Sequence, residues 1–91
     1  MKKDLLKSYL NNIRELEAIP KAQRTKRQKK GLDKMRISVG SSFLLKTVQG
    51  ALPDWQKKTD AETQEINRQC AACIKYLPAN LRGQYNRWLN A

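Results

Sequence analysis

The chain has 91 residues, with 19 Lys and Arg against 8 Asp and Glu and no His, a formal charge of +11. A chain of this length buries about 60–65% of its unfolded surface, so its core is thin and a separate catalytic scaffold is hard to build. Its longest apolar run, Cys70 to Ile74, is far below the ~20 residues of a membrane span, no apolar stretch follows Met1-Lys2-Lys3 as in a secretory leader, and two cysteines make no disulfide framework.

The expectation from these exclusions is a cytoplasmic, non-secreted chain with no membrane association. From Lys3 to Ala18 the apolar positions Leu5, Leu6, Tyr9, Leu10, Ile13 and Leu16 form one stripe of a helix, with Lys7, Asn11 and Arg14 on the other side, and Pro20 stops it. The next sixteen residues, Lys21 to Arg36, carry eight cations and one acid, Asp33. Lys21 to Lys30 has no apolar side chain larger than Ala22, so residues 21–31 are expected to be a basic exposed segment or linker without a buried face. Leu32, Met35 and Val39 then restore an apolar spacing, which predicts a short docking helix.

Gly40-Ser41-Ser42 reads as a break followed by a new helix, with a serine as its cap and Leu44, Leu45, Val48, Ala51 and Leu52 facing inward up to Pro53. Thr59 to Glu62 has capping-box spacing, with Asp60 as the alternative cap. Ile66, Cys70, Cys73, Ile74 and Leu77 follow on one helical face until Pro78. Asn80 is expected to cap a last helix whose Leu81, Tyr85, Trp88 and Leu89 share a side. The sum is an all-α chain: a single domain, 1–91, built as a small bundle of four to five short helices with a basic, partly exposed segment after the first.

Catalysis finds few residue types to use. Without His there is no Ser-His, Cys-His or His-metal arrangement, and the glycines at 31, 40, 50 and 83 fit no phosphate-loop spacing. Glu15 and Glu17 fall on different helix faces. Cys70 and Cys73 form a CxxC pair, but zinc needs about four ligands, and a redox CxxC opens a helix, whereas this pair lies inside one. Two small core residues are the simpler account of them, so neither an enzyme nor a bound cofactor or metal is expected.

The basic segment points to a polyanion. Lys21, Arg24, Lys26, Arg27, Lys29, Lys30, Lys34 and Arg36 are the expected nucleic-acid-binding residues, since phosphates neutralised by Lys and Arg release counterions and supply sequence-independent affinity. Arg82 and Arg87, on the closing helix, are secondary candidates. Residues 32–50 and 62–90 each have the outline of a helix-turn-helix, the first turning at Gly40 and the second at Pro78. Trp55, beside Lys57 and Lys58, is the aromatic best placed to stack on a base, whereas Tyr76, Tyr85 and Trp88 fall on or near apolar stripes. The expected function is a small non-catalytic accessory or regulatory protein that binds DNA or RNA. The alternative is a protein-binding adaptor or inhibitor whose basic segment docks on an acidic surface of a larger enzyme.

Overall fold

The computed structural model describes residues 2–91, and Met1 lies outside them. The described residues form four α-helices, α1 (Lys3–Ala18), α2 (Lys26–Val48), α3 (Ala61–Ala72) and α4 (Ala79–Leu89), and contain no strand. Three 3₁₀ turns, Lys21–Gln23, Asp54–Lys57 and Cys73–Tyr76, link them. The all-α architecture is as the apolar spacing predicts, and α1 has the bounds read from its stripe and from Pro20.

One long helix replaces two expected short ones. α2 runs unbroken for 23 residues through Gly40, Ser41 and Ser42. Its start is set by a capping box: the Gln28 amide donates to Thr25 Oγ1 at 3.1 Å, and the Thr25 amide to Gln28 Oε1 at 2.9 Å. It ends at Val48, short of Pro53, with Gly50 at φ +70° reversing the chain, a conformation glycine adopts without strain. Gly40 is a packing residue. A Cβ built on it would lie 2.9 Å from the carbonyl oxygen of Cys73, so only a glycine lets α2 and the Cys73–Tyr76 turn approach this closely.

The main core joins Leu6, Leu10 and Ile13 of α1, Leu32 and Val39 of α2, Ile66 and Cys70 of α3, and Cys73. Leu44, Ile74 and Leu77 make a smaller second cluster, onto which α4 lays Leu81 and Tyr85. No residue of α4 is fully buried, and Trp88 and Leu89 project into solvent. α4 has no side-chain cap: Pro78 precedes it and Asn80 sits inside its first turn, contrary to the expected Asn80 cap.

The cap of α3 is Asp60, whose Oδ1 accepts from the Thr63 amide at 2.8 Å and whose Oδ2 accepts from the Thr63 hydroxyl at 3.1 Å. These bonds to Thr63 hold the Asp60 carboxyl below its ordinary range. A carboxyl depressed in the folded state binds fewer protons there than in the unfolded chain, so its contribution is present above the ordinary carboxylate range and is lost as pH falls through the depressed value. Asp60→Asn keeps a capping side chain without the titration. Thermal melts between about pH 2 and 7 should show a shallower acid loss in this variant than in the parent.

Candidate nucleic-acid interface

The eight cations of the basic segment divide into two groups. Six are solvent-exposed: Lys21, on the first 3₁₀ turn, and Lys26, Arg27, Lys29, Lys30 and Lys34, on the first turns of α2. Among the described residues none of these six forms an ion pair. At about 100° per residue, Lys26, Arg27, Lys30 and Lys34 share one side of α2, while Lys29 flanks it. Gln28 and Leu32 turn the opposite side of these turns toward the protein, Leu32 fully buried. The cations therefore sit on a helix fixed by its own core residues and its Thr25 cap.

The other two cations are structural. Arg24 Nε donates to the carbonyls of Leu16 and Ile19, both at 3.0 Å, and Arg24 Nη2 donates to that of Glu17 at 3.2 Å. These carbonyls belong to the end of α1 and the residue that closes it. A guanidinium there satisfies backbone acceptors left without a helical partner and offsets the negative end of the helix dipole. Arg36, with only 12% of its side chain exposed, reaches back to Glu17 Oε1 with Nη2 at 3.0 Å and lies 4.1 Å from the centre of the Tyr76 ring. It joins α1, α2 and the Cys73–Tyr76 turn through an ion pair and a cation–π contact. Both arginines were expected at the phosphates. Their neighbours occupy them instead.

Arg82 and Arg87 are exposed on α4. Neither helix-turn-helix outline is realised as expected. The first loses its turn, because α2 is continuous at Gly40. In the second, the Cys73–Tyr76 turn and Pro78 separate α3 from α4, and α4 packs chiefly on α2.

The cysteines are core residues. Cys70 is fully buried, and burial pushes its thiol up to about 12, with Cys73 adding to the shift. Burial also raises the Cys73 thiol. In both, burial favours the thiol over the thiolate.

The aromatic positions differ from expectation. Tyr76 and Trp88 are the exposed rings, although each falls on or near an apolar stripe, and Trp88 stacks on Tyr85 with ring centres 5.9 Å apart. Trp55 is half-buried against the main core. The lysines lining its open side are Lys46, nine residues before it, and Lys2 and Lys3, more than fifty residues before it. Of its sequence neighbours, Lys57 pairs with Asp54 at 4.0 Å.

Beyond Lys34 the same side of α2 changes character. Ile37, Ser41, Leu45 and Val48 continue the line at steps of three and four, and Leu45 and Val48 are 47% and 40% exposed. One face of one helix is thus cationic over its first three turns and apolar over its last three. No helix among the described residues is long and apolar enough to cross a membrane. Comparison of the chain with protein-family models, with curated proteins and with solved structures gives no match.

Proposed function

We propose that this chain is a small non-catalytic nucleic-acid-binding protein, accessory or regulatory in role, that contacts phosphates through the cationic half of α2. The supporting observation is that Lys26, Arg27, Lys30 and Lys34 lie on one side of a capped helix, exposed and without an ion pair among the described residues. Unpaired cations held on a fixed spacing bring condensed counterions off a polyanion without first breaking an internal salt bridge. Lys21 and Lys29 widen the patch, and the +11 charge of the whole chain adds long-range attraction.

A titration of labelled duplex and single-stranded nucleic acid at several salt concentrations tests the proposal. At about −0.9 per neutralised phosphate on duplex DNA, the four to six exposed cations give a log–log slope of about −4 to −5. An absence of binding at low salt would reject it.

A second proposal rests on the apolar continuation of the same face. Ile37, Leu45 and Val48 would suit an acidic amphipathic helix of a partner protein, its carboxylates on Lys30 and Lys34 and its apolar side chains on the last turns. In that case Leu45→Glu abolishes partner binding. Under the nucleic-acid proposal the same substitution leaves the salt slope within about one unit of the parent.

A further inference from the structure

A second basic feature lies away from the α2 stripe. Lys2 and Lys3 at the start of α1, Lys46 near the end of α2, and Pro53 and Trp55 bound an open bowl of about 490 Å³. Lys46 follows Lys30 by sixteen residues, which places it about 24 Å along the helix and roughly 160° around it. The bowl therefore touches α2 only through Lys46, at the opposite end and on the far side from the cationic turns.

The wall that carries Trp55 is fixed from behind. Gln56 is buried, its Nε2 donating to Asn67 Oδ1 at 3.1 Å, and Asn67 Nδ2 donates back to the Gln56 carbonyl at 3.0 Å. The Thr63 hydroxyl, which donates to Asp60 Oδ2, lies 3.5 Å from the Trp55 carbonyl, and the ties to α3 are the two Gln56–Asn67 bonds. The 3₁₀ turn is thereby tied to α3, and the inner side of the indole rests on the main core. The rim is held by longer contacts. The Lys3 ammonium stands 5.7 Å from the indole centre and 3.7 Å from Glu62 Oε2, near the outer limit of both contacts. Lys46 makes no ion pair among the described residues.

We infer that this bowl takes one base-and-phosphate unit of a single-stranded nucleic acid, the base against Trp55 and Pro53 and the phosphates on Lys2, Lys3 and Lys46. The inference rests on the nucleic-acid proposal above and deepens it by naming the form of the strand. An aromatic wall and an ammonium rim match the two halves of a nucleotide, apolar π-face and anion. A duplex hides its base faces in the stack, so only an unpaired base can lie on the indole. Lys3 can swing from the ring and from Glu62 to a phosphate, exchanging two long contacts for a close one.

Trp88→Phe leaves Trp55 as the sole tryptophan, and its emission then reports on this site alone. The variant is titrated with an oligothymidylate strand of about ten nucleotides, inside the ~4–16 nucleotide span of single-strand sites, with a duplex of equal length, and with thymidine monophosphate, while anisotropy of labelled strand and duplex follows binding independently. The expected result is quenching by the strand and none by the duplex. In the same background Trp55→Leu should weaken strand binding about 5- to 100-fold, and Lys46→Ala should flatten the strand's salt slope by about 0.7, with duplex affinity unchanged in both. Lys46→Ala keeps the test decisive if Trp55→Leu fails to fold. Rising anisotropy with unchanged Trp55 emission and an unaltered Lys46→Ala slope would overturn this inference and leave the α2 proposal standing. Thymidine monophosphate quenching as tightly as the strand would overturn the strand form in favour of a free-nucleotide site. Flat anisotropy with every nucleic acid would reject both.

Discussion

Replacing Lys26, Arg27, Lys30 and Lys34 together by Gln should flatten the salt dependence of duplex binding by about 3.6 log units per log unit of salt, at about −0.9 per phosphate contact. Between 50 and 200 mM salt that difference narrows the parent's advantage about a hundredfold, so the effect is largest at low salt. Stability should hold. The four side chains are exposed, Gln is nearly as good a helix former as Lys or Arg, and removing like charges four residues apart relieves a small repulsion. Arg24→Gln is the matched control, with one charge lost from the same segment at a position bonded to the last carbonyls of α1. It should lower the melting temperature and shift the slope by much less than one unit. If the quadruple variant kept the parent's slope, the phosphate contacts would lie elsewhere, with Arg82 and Arg87 next in line.

That control could not have been chosen from composition. The sequence shows eight cations in sixteen residues, but a cation's availability depends on which acceptors the fold brings beside it. Arg24 is occupied because the chain doubles back after Pro20 and presents it to the open end of α1. Arg36 is occupied because Glu17 and Tyr76, nineteen residues before and forty after it, arrive on the same side of α2. Local patterns were more legible. The apolar spacing of α1 and the proline after it set that helix to the residue, and Ile66, Cys70 and Cys73 are core residues as their period implies. A cap is legible too, since Thr25 and Gln28 have capping-box spacing.

The bowl at Trp55 was half legible. A tryptophan after a proline and near lysines suggests stacking, yet the lysines that line its open side are Lys46, from the preceding helix, and Lys2 and Lys3, from the start of the chain. No window of sequence contains them together. The continuity of α2 was hidden for a related reason. Gly-Ser-Ser is turn chemistry when judged locally, and the structure uses Gly40 for a contact with Cys73, thirty-three residues away.

The two helical glycines of α2 should therefore respond in opposite directions to the same substitution. At Gly31 an added Cβ meets nothing within 4 Å, so Gly31→Ala gains helix propensity and should stabilise by about 0.5–1 kcal/mol. At Gly40 the same methyl would sit 2.9 Å from the Cys73 carbonyl oxygen, a backbone atom that moves only if the seam between α2 and the Cys73–Tyr76 turn opens. Overpacking of this kind costs about 1–3 kcal/mol, which outweighs the gain in propensity. At roughly 4–8 °C per kcal/mol for a domain of this size, the melting temperatures of the two variants should separate by about 4 °C or more. The serines supply the complementary test. If Ser41 or Ser42 capped a new helix, its change to Ala would cost about 0.5–2 kcal/mol, whereas within a continuous helix the change is neutral to slightly stabilising. Destabilised serine variants together with a harmless Gly40→Ala would mean that the helix breaks there. The cationic turns would then no longer be one rigid piece with the Lys46 end, and the spacing of the two sites would no longer be fixed. With α2 intact they are held about 24 Å apart along the helix, so a strand long enough to reach both should bind the parent more tightly than either site alone would.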